Sequence, residues 1–346
     1  MALHDFWFIA LAALFVGFFV LEGFDFGIGM LMKIFGRVAT GDREQHRRAA
    51  LNTIGPVWDG NEVWLITAGG AMFAAFPGMY ATLFSGLYLP LLAILLSMIL
   101  RICAIEWRGK IDDPRWRGWA DLGIAIGSWV PAVLWGVVFA ALVRGLPVDA
   151  DKQIHLSVTD LLNPYTLLGG LATGGLFAFH GALFARLKTE GAVRDDATRF
   201  AAKLALPVTT AVAAFGVWTQ LVHGKDWTWL ILGAAIVCQL SAVMLVLSRG
   251  GDGWAFACTA WTVAAVVILL FAVMYPNVVP STLNPDWSLT VVNASSTPYT
   301  LKIMSWAALI FAPLVIAYQA WTYWVFRQRI SADRIPAAIG LSRRPT

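Results

Sequence analysis

FWFIALAALFVGFFVLEGFDFGIGMLMKIF, residues 6–35, decides the fold class. The hydrocarbon core of a bilayer is crossed by a helix of about 20 mostly apolar residues. This stretch exceeds that length, so it reads as a spanning helix that tilts or protrudes. The segment before it, MALHD, has no Lys or Arg, and no small-residue cleavage site closes the apolar run. A retained helix, not a cleavable signal, is expected.

Eight more apolar runs follow, at approximately 52–75, 80–101, 119–143, 162–186, 200–222, 227–248, 254–275 and 301–326. The expectation is an all-α membrane protein with nine transmembrane helices, residues 1–346 forming a single polytopic domain. No internal repeat is evident. Composition agrees: 59% of the residues are apolar and 13% charged, and the mean hydropathy is +0.69. Soluble domains carry about 25% charged residues. This chain is therefore neither a soluble globule nor a disordered segment, which needs low hydrophobicity and high charge. Its 17 Trp, 21 Phe and seven Tyr suit a membrane interface. Cys103, Cys238 and Cys258 follow no motif spacing and read as small buried hydrophobes.

The net charge of +4 would suggest a nucleic-acid partner in a soluble protein. Here it reflects topology. Of the 25 Lys and Arg, all but Arg144, Lys152, Lys225 and Lys302 fall on one side of the nine spans. They sit in the loops around Lys33–Arg48, Arg101–Arg117 and Arg186–Lys203, at Arg249 and in the tail, which includes Arg343 and Arg344. Basic loops stay inside. The amino terminus is expected outside and the carboxyl terminus in the cytoplasm of a bacterial cell.

Four acids lie inside expected spans: Glu22 and Asp25 in the first, Asp59 and Glu62 in the second. Each costs ~2.5–3.5 kcal/mol at mid-membrane, on the order of 10 kcal/mol together. They should avoid lipid. At helical rise, Asp25 lies ~15 Å and Glu22 ~20 Å from the cytoplasmic edge near Phe35; Asp59 lies ~14 Å and Glu62 ~18 Å from Ala50. The pairs are level, and each is spaced i,i+3 on one face. Packed side by side, Asp25 and Asp59 form one rung, Glu22 and Glu62 the next. No Lys or Arg within a span is expected to neutralise them. Clustered carboxyls in low dielectric share protons, which is the chemistry of a relay open to the cytoplasm. A static role stands beside this. Pro56 at a first helical position would put Asp59 in a first turn, where the helix dipole favours a carboxylate.

Other signals are weaker. His180 lies in the fifth span, where it can ligate haem, shuttle protons or pack. His4, His46, His155 and His223 lie in loops or at helix edges, with no paired metal-ligand spacing. Gly23 and Gly27 form a small-xxx-small pair that lets a neighbouring helix approach. Phosphate-binding loops and nucleophile constellations are absent, so the chain has no visible means of redox chemistry alone.

GFDFGIGM at 23–30 and PVWDGNEVWLITAGGAMFAAFP at 56–77 resemble the first- and second-helix blocks of subunit II of cytochrome bd quinol oxidases. The likeness continues through 101–131, LNPYTLLGGL at 162–171, 280–306 and YQAWTYWVF at 318–326. The resemblance implies two four-helix bundles plus one extra helix. It implies a larger haem-bearing partner, subunit I, with two b-type haems and haem d, in a complex that oxidises quinol and reduces O2 to water. Small accessory subunits, membrane lipid and a structural quinone in this subunit are compatible with it. It also implies that this chain ligates no haem and contributes to proton delivery toward haem d. Asp59 falls on the family's WDGN aspartate, with Trp58, Asn61 and Trp64 on neighbouring motif positions; Asp25 is the aspartate of GFDxG. Glu22 stands where Asp also occurs, and Glu62 where Gln also occurs. The rivals are a proton-coupled transporter or channel, which would be expected to show repeats and broken helices in both halves, and a scaffold whose acids are inert.

Overall fold

The computed structural model describes residues 2–35, 42–336 and 340–342; Arg37, Arg343 and Arg344 of the charge count lie outside them. The helices are α1 (Leu3–Leu31), α2 (Arg43–Ile54), α3 (Trp58–Ala75), α4 (Pro77–Gly86), α5 (Tyr88–Trp107) and α6 (Pro114–Arg144). Then follow α7 (Val158–Leu161), α8 (Pro164–Lys188), α9 (Gly191–His223), α10 (Thr228–Leu247), α11 (Asp252–Met274) and α12 (Pro298–Val325). Strands amount to a few two- and three-residue pairings between loops.

Among the described residues, eight helices are long and apolar enough to cross a bilayer: α1, α5, α6 and α8 to α12. A ninth crossing is reached only by α3 taken with α4, and these two are bent by 120°. The chain is an all-α, multi-pass membrane protein.

Several helix starts follow from local chemistry. Asp113, Asn163 and Thr297 each stand before a proline at the first helical position. The side chain caps the free backbone N–H groups, while the proline has no N–H to leave unpaired. Asn163 accepts from both Tyr165 and Thr166 backbone N–H groups at 3.1 Å.

The second and third expected spans differ from the structure. Residues 52–54 close α2, a separate helix capped by Asp42. Gly55 and Pro56 interrupt the chain, and Pro56 precedes α3 by two residues, not opening it as its first residue. Asp59 nevertheless lies in the first turn of α3. The expected third span, 80–101, is two helices. Pro77 opens α4 at the sharp bend after Phe76, Leu87 separates α4 from α5, and α5 runs on to Trp107. That extension places Arg101 well inside α5, not at its edge.

α1 is central and packs against α3, α6, α8, α11 and α12. Its glycines permit the closest approach. A Cβ on Gly27 would lie 2.7 Å from Gly181 Cα and 2.2 Å from the Phe177 carbonyl oxygen, so α1 and α8 touch backbone to backbone there. α12 is the opposite case: Leu301 is its only buried residue. Large apolar side chains such as Ile66, Leu89, Leu309 and Leu314 point outward. The cysteines are not core residues: Cys103 is exposed on α5, and Cys238 and Cys258 are half-buried.

Interlocking ion pairs tie the basic helix ends together. Arg108, buried beyond the end of α5, donates to Glu44 of α2 at 2.6 and 2.9 Å and to Asp121 of α6 at 2.7 Å. Arg47 reaches Asp121 at 3.1 Å. Burial works against the Arg108 charge, but hydrogen bonding and attraction to Glu44 and Asp121 outweigh it and push the guanidinium above its ordinary value.

Candidate functional site

The Arg101 side chain enters the protein from α5 and is fully buried. One of its terminal nitrogens donates to Glu22 of α1, and the same nitrogen reaches Glu62 of α3 at 2.9 Å. The ring of Phe26 lies under the guanidinium, 4.5 Å from its carbon to the ring centroid. The expectation of a site without a neutralising cation is thereby corrected. The apolar run ends at Leu100, but the helix does not. Arg101 sits six residues before the end of α5, and no periodicity distinguishes such a position from a loop.

Glu22 and Asp25 are fully buried, Glu62 is half-buried and Asp59 is exposed. Glu22 and Glu62 meet across the arginine. The expected rung of Asp25 and Asp59 does not form, because Asp59 at the start of α3 is exposed and Asn61, two residues further on, faces Asp25 instead, its amide donating to Asp25 Oδ2 at 2.7 Å. Asp59 itself makes no hydrogen bond among the described residues, and its carboxylate is felt electrostatically by Glu62. Trp58 is half-buried beside it.

Two residues of α12 complete the arrangement. The Tyr323 hydroxyl donates to Asn61 Oδ1 at 2.6 Å. The Gln319 amide donates to the same oxygen at 3.2 Å and to the Gly60 carbonyl at 3.3 Å. Its oxygen accepts from Trp64 Nε1 at 2.7 Å. The Trp64 ring lies against Gly17, where any Cβ would fall 2.0 Å from a ring carbon. Trp64 therefore both packs α3 onto α1 and links α3 to α12.

Sequence reading found the acids and missed Arg101, Gln319 and Tyr323 as their partners. The last two lie in the quoted stretch 318–326, but nothing local connects them to Asn61, 258 and 262 residues away.

Not every buried polar atom is satisfied. Glu22 Oε2, Asp25 Oδ1, and Nε and Nη1 of Arg101 have no hydrogen-bond partner among the described residues. Buried polar groups are normally paired with protein or ordered water. Three carboxyls, one guanidinium and open acceptor positions are a place where water and protons can be held.

His180 is engaged elsewhere. Its Nε2 donates to the Val20 carbonyl at 3.1 Å, its Nδ1 lies 2.7 Å from Thr259 Oγ1, and the ring stacks on Phe256 at 4.6 Å. Both nitrogens are occupied, so neither is open to a haem iron.

A larger apolar cavity of about 690 Å³ opens between α1, α8, α11 and α12. Val20, Phe24, Phe184 and Phe256 wall it, and its polar members are Asn52, Thr53, Lys188, Tyr323, Arg327, Gln328 and Arg329.

Comparison with known proteins agrees with this picture. The family described as cytochrome bd terminal oxidase subunit II matches residues 3–326. Cytochrome bd ubiquinol oxidase subunit 2 of Bacillus subtilis is 43% identical over 334 residues, covering 95% of this chain and 97% of the relative. Cytochrome bd-I ubiquinol oxidase subunit 2 of Escherichia coli K12 is 34% identical over 367 aligned residues, covering 95% of each. The fold is also that of a chain in the bd oxidase structure from Geobacillus thermodenitrificans, with a TM-score of 0.76 and 17% identity, over 94% of this chain and 99% of that one. With residues 3–326, the acid-bearing helices among them, matched in this way, the chain belongs to the family of subunit II of cytochrome bd terminal oxidases.

Proposed function

We propose that this chain, as subunit II of a cytochrome bd ubiquinol oxidase, carries protons from the cytoplasmic side toward haem d in its subunit I partner, and steadies that haem-bearing subunit. The complex would oxidise quinol and reduce O2 to water, with two b-type haems and haem d held by the partner. Those haems supply the electron transfer and oxygen chemistry. The residues of this chain bind, orient and pass protons.

The carrying observation is the pair of fully buried carboxyls, Glu22 and Asp25, each with one oxygen unpartnered. Asp59, exposed in the first turn of α3, is the receiving group. Asp25 Oδ1 and Glu22 Oε2 are the atoms at which a proton is held. Glu62 is a further station, joined to Glu22 through Arg101. Asn61 fixes the orientation of Asp25 and is itself fixed by Tyr323. Trp58 and Trp64 shape the walls. This reading places the amino terminus outside and the carboxyl terminus in the cytoplasm, following the Lys and Arg bias.

A structural quinone in this chain fits the cavity of about 690 Å³. Its aromatic and aliphatic walls suit an isoprenoid tail, and Lys188, which donates to the Phe326 and Gln328 carbonyls, has a further N–H for a head-group oxygen.

The test is oxygen consumption by the purified complex carrying D25N or D59N, with the reduced-minus-oxidised haem spectrum as an integrity control. Turnover falling at least tenfold, about 1.4 kcal/mol or more on the barrier, with unchanged haem bands supports the path. Wild-type turnover from pH 6 to 9 in both variants would sink it.

A further inference from the structure

A second cavity, of about 180 Å³, lies at the basic end and is lined by no residue of the acid-bearing helices α1 and α3. Arg186, Arg194, Arg199 and Arg249 wall it, with Thr198 and one acid, Asp195. The arginines come from the end of α8, the first turns of α9 and the turn between α10 and α11.

Most of the nearby negative charge is already committed. Asp252 is contacted by Arg186 at 2.8 Å, Arg194 at 3.0 Å and Arg329 at 2.8 Å. One carboxylate thus serves three guanidinium groups. Arg199 and Arg249 are exposed and make no ion pair among the described residues. Arg186 supplies an independent observation. Its side chain is 1% exposed. Nη2 donates to the Gly250 carbonyl at 2.8 Å, while the buried Nη1 has no hydrogen-bond partner among the described residues. A buried guanidinium N–H without an acceptor is costly, and this residue borders a cavity rich in positive charge.

We propose that this cavity is a binding site for a phosphate group, borne by an anionic phospholipid head group or present as free phosphate. The planar forks of several arginines match phosphate oxygens in both charge and geometry. Basic pockets between membrane helices recognise anionic lipid heads. Trp254, exposed in the first turn of α11, marks the level of the membrane interface beside the cavity. The phosphate would accept from Arg186 Nη1, Arg199 and Arg249, and it would fasten the α8–α9 turn to the α10–α11 turn.

The test uses the intact two-subunit complex, wild type and R199Q/R249Q. Both positions are exposed and outside the proposed proton path, so oxidase turnover should persist. Phosphatidylglycerol retained after detergent exchange is counted by native mass spectrometry, and labelled inorganic phosphate binding is measured by equilibrium dialysis. Retention of phosphatidylglycerol weakened on the order of tenfold or more in the variant, with no phosphate binding, assigns a lipid head. Phosphate binding lost in the variant assigns the free anion. Equal lipid retention by both proteins, together with no phosphate binding, overturns the site. A photo-reactive phosphatidylglycerol on the wild-type complex gives a second measure that needs no variant. Adducts within 186–199 or 249–254 support the site, and adducts confined to other segments overturn it.

Discussion

Asn61 of α3 donates to Asp25 of α1 at 2.7 Å, and its own oxygen accepts from Tyr323 of α12 at 2.6 Å. One amide therefore orients a buried carboxyl and joins three helices. Replacing it with leucine leaves the Tyr323 hydroxyl without its acceptor and Asp25 Oδ2 without its donor. Each buried orphan costs about 1–3 kcal/mol. N61L is expected to lower the thermal midpoint of the complex and to depress turnover. Differential scanning fluorimetry beside an oxygen electrode checks both, and an unchanged midpoint would refute the bridging role.

Arg101 should be among the most sensitive positions in the chain. Removing one partner from a buried ion pair costs about 3–5 kcal/mol, because the remaining charge is stranded. R101M leaves Glu22 and Glu62 facing each other without a cation. The triple variant E22Q/E62Q/R101M removes the stranded charges and should recover much of the assembled protein. R101K should not substitute fully, since a compact ammonium on a shorter reach replaces the planar guanidinium that lies over Phe26 and brings one nitrogen to both carboxylates. The yield of intact complex after purification separates these outcomes.

At Gly27 the expected failure is steric. Valine there would drive its side chain into the Phe177 carbonyl and Gly181. Overpacking of this sort typically costs about 1–3 kcal/mol, and a backbone obstacle cannot swing aside as a side chain can. G27V should reduce accumulation of the complex, whereas G69V on α3, where a Cβ meets nothing within 4 Å, should be tolerated. Similar levels of the two variants would contradict the close α1–α8 contact.

The loop at Asp149 offers a pH-dependent readout away from the membrane. Hydrogen bonds from His155 first, then from the Gln153 and Asp151 backbone N–H groups, hold this carboxyl below the usual range. A depressed carboxyl contributes order that is fully present above its unfolded value of about 3.9 and is lost as pH falls through its folded value. Amide protection across residues 149–155, the exchange rate taken relative to the unstructured rate at the same pH, should therefore hold down to about pH 4 and fall below it. In D149N that step should vanish.

Much of the fold was legible because apolar runs of membrane length have few alternatives. The depth arithmetic also put Glu22 and Glu62 on one level, and the structure brings them together across Arg101. The Gly23–Gly27 pair announced a close contact, although not that α8 would supply it. What stayed hidden was non-local or depended on where helices break. Pro77 opens α4 after a bend of 120°, a feature that hydropathy averages away. α5 continues through Cys103, Ala104 and Ile105 to Trp107, which turned a supposed loop arginine into a buried one. Gln319 and Tyr323 reach Asn61 from the other end of the chain, beyond any helical spacing.

The sparse burial of α12 has a consequence for how the protein is made. Leu301 is its only buried residue, so side-chain clips hold it: Trp7 to Ser305, Trp64 to Gln319, and Tyr323 to Asn61. Synthesis runs from the amino terminus, so Asn61 is inserted 262 residues before its tyrosine exists. Until then the acids on α1 and α3 stand in the bilayer beside an unfinished wall. Of the described long helices, α12 leaves the ribosome after all the others and is the one that closes the acids off, and a nascent chain stalled before residue 319 would present that opening to the insertion and quality-control machinery.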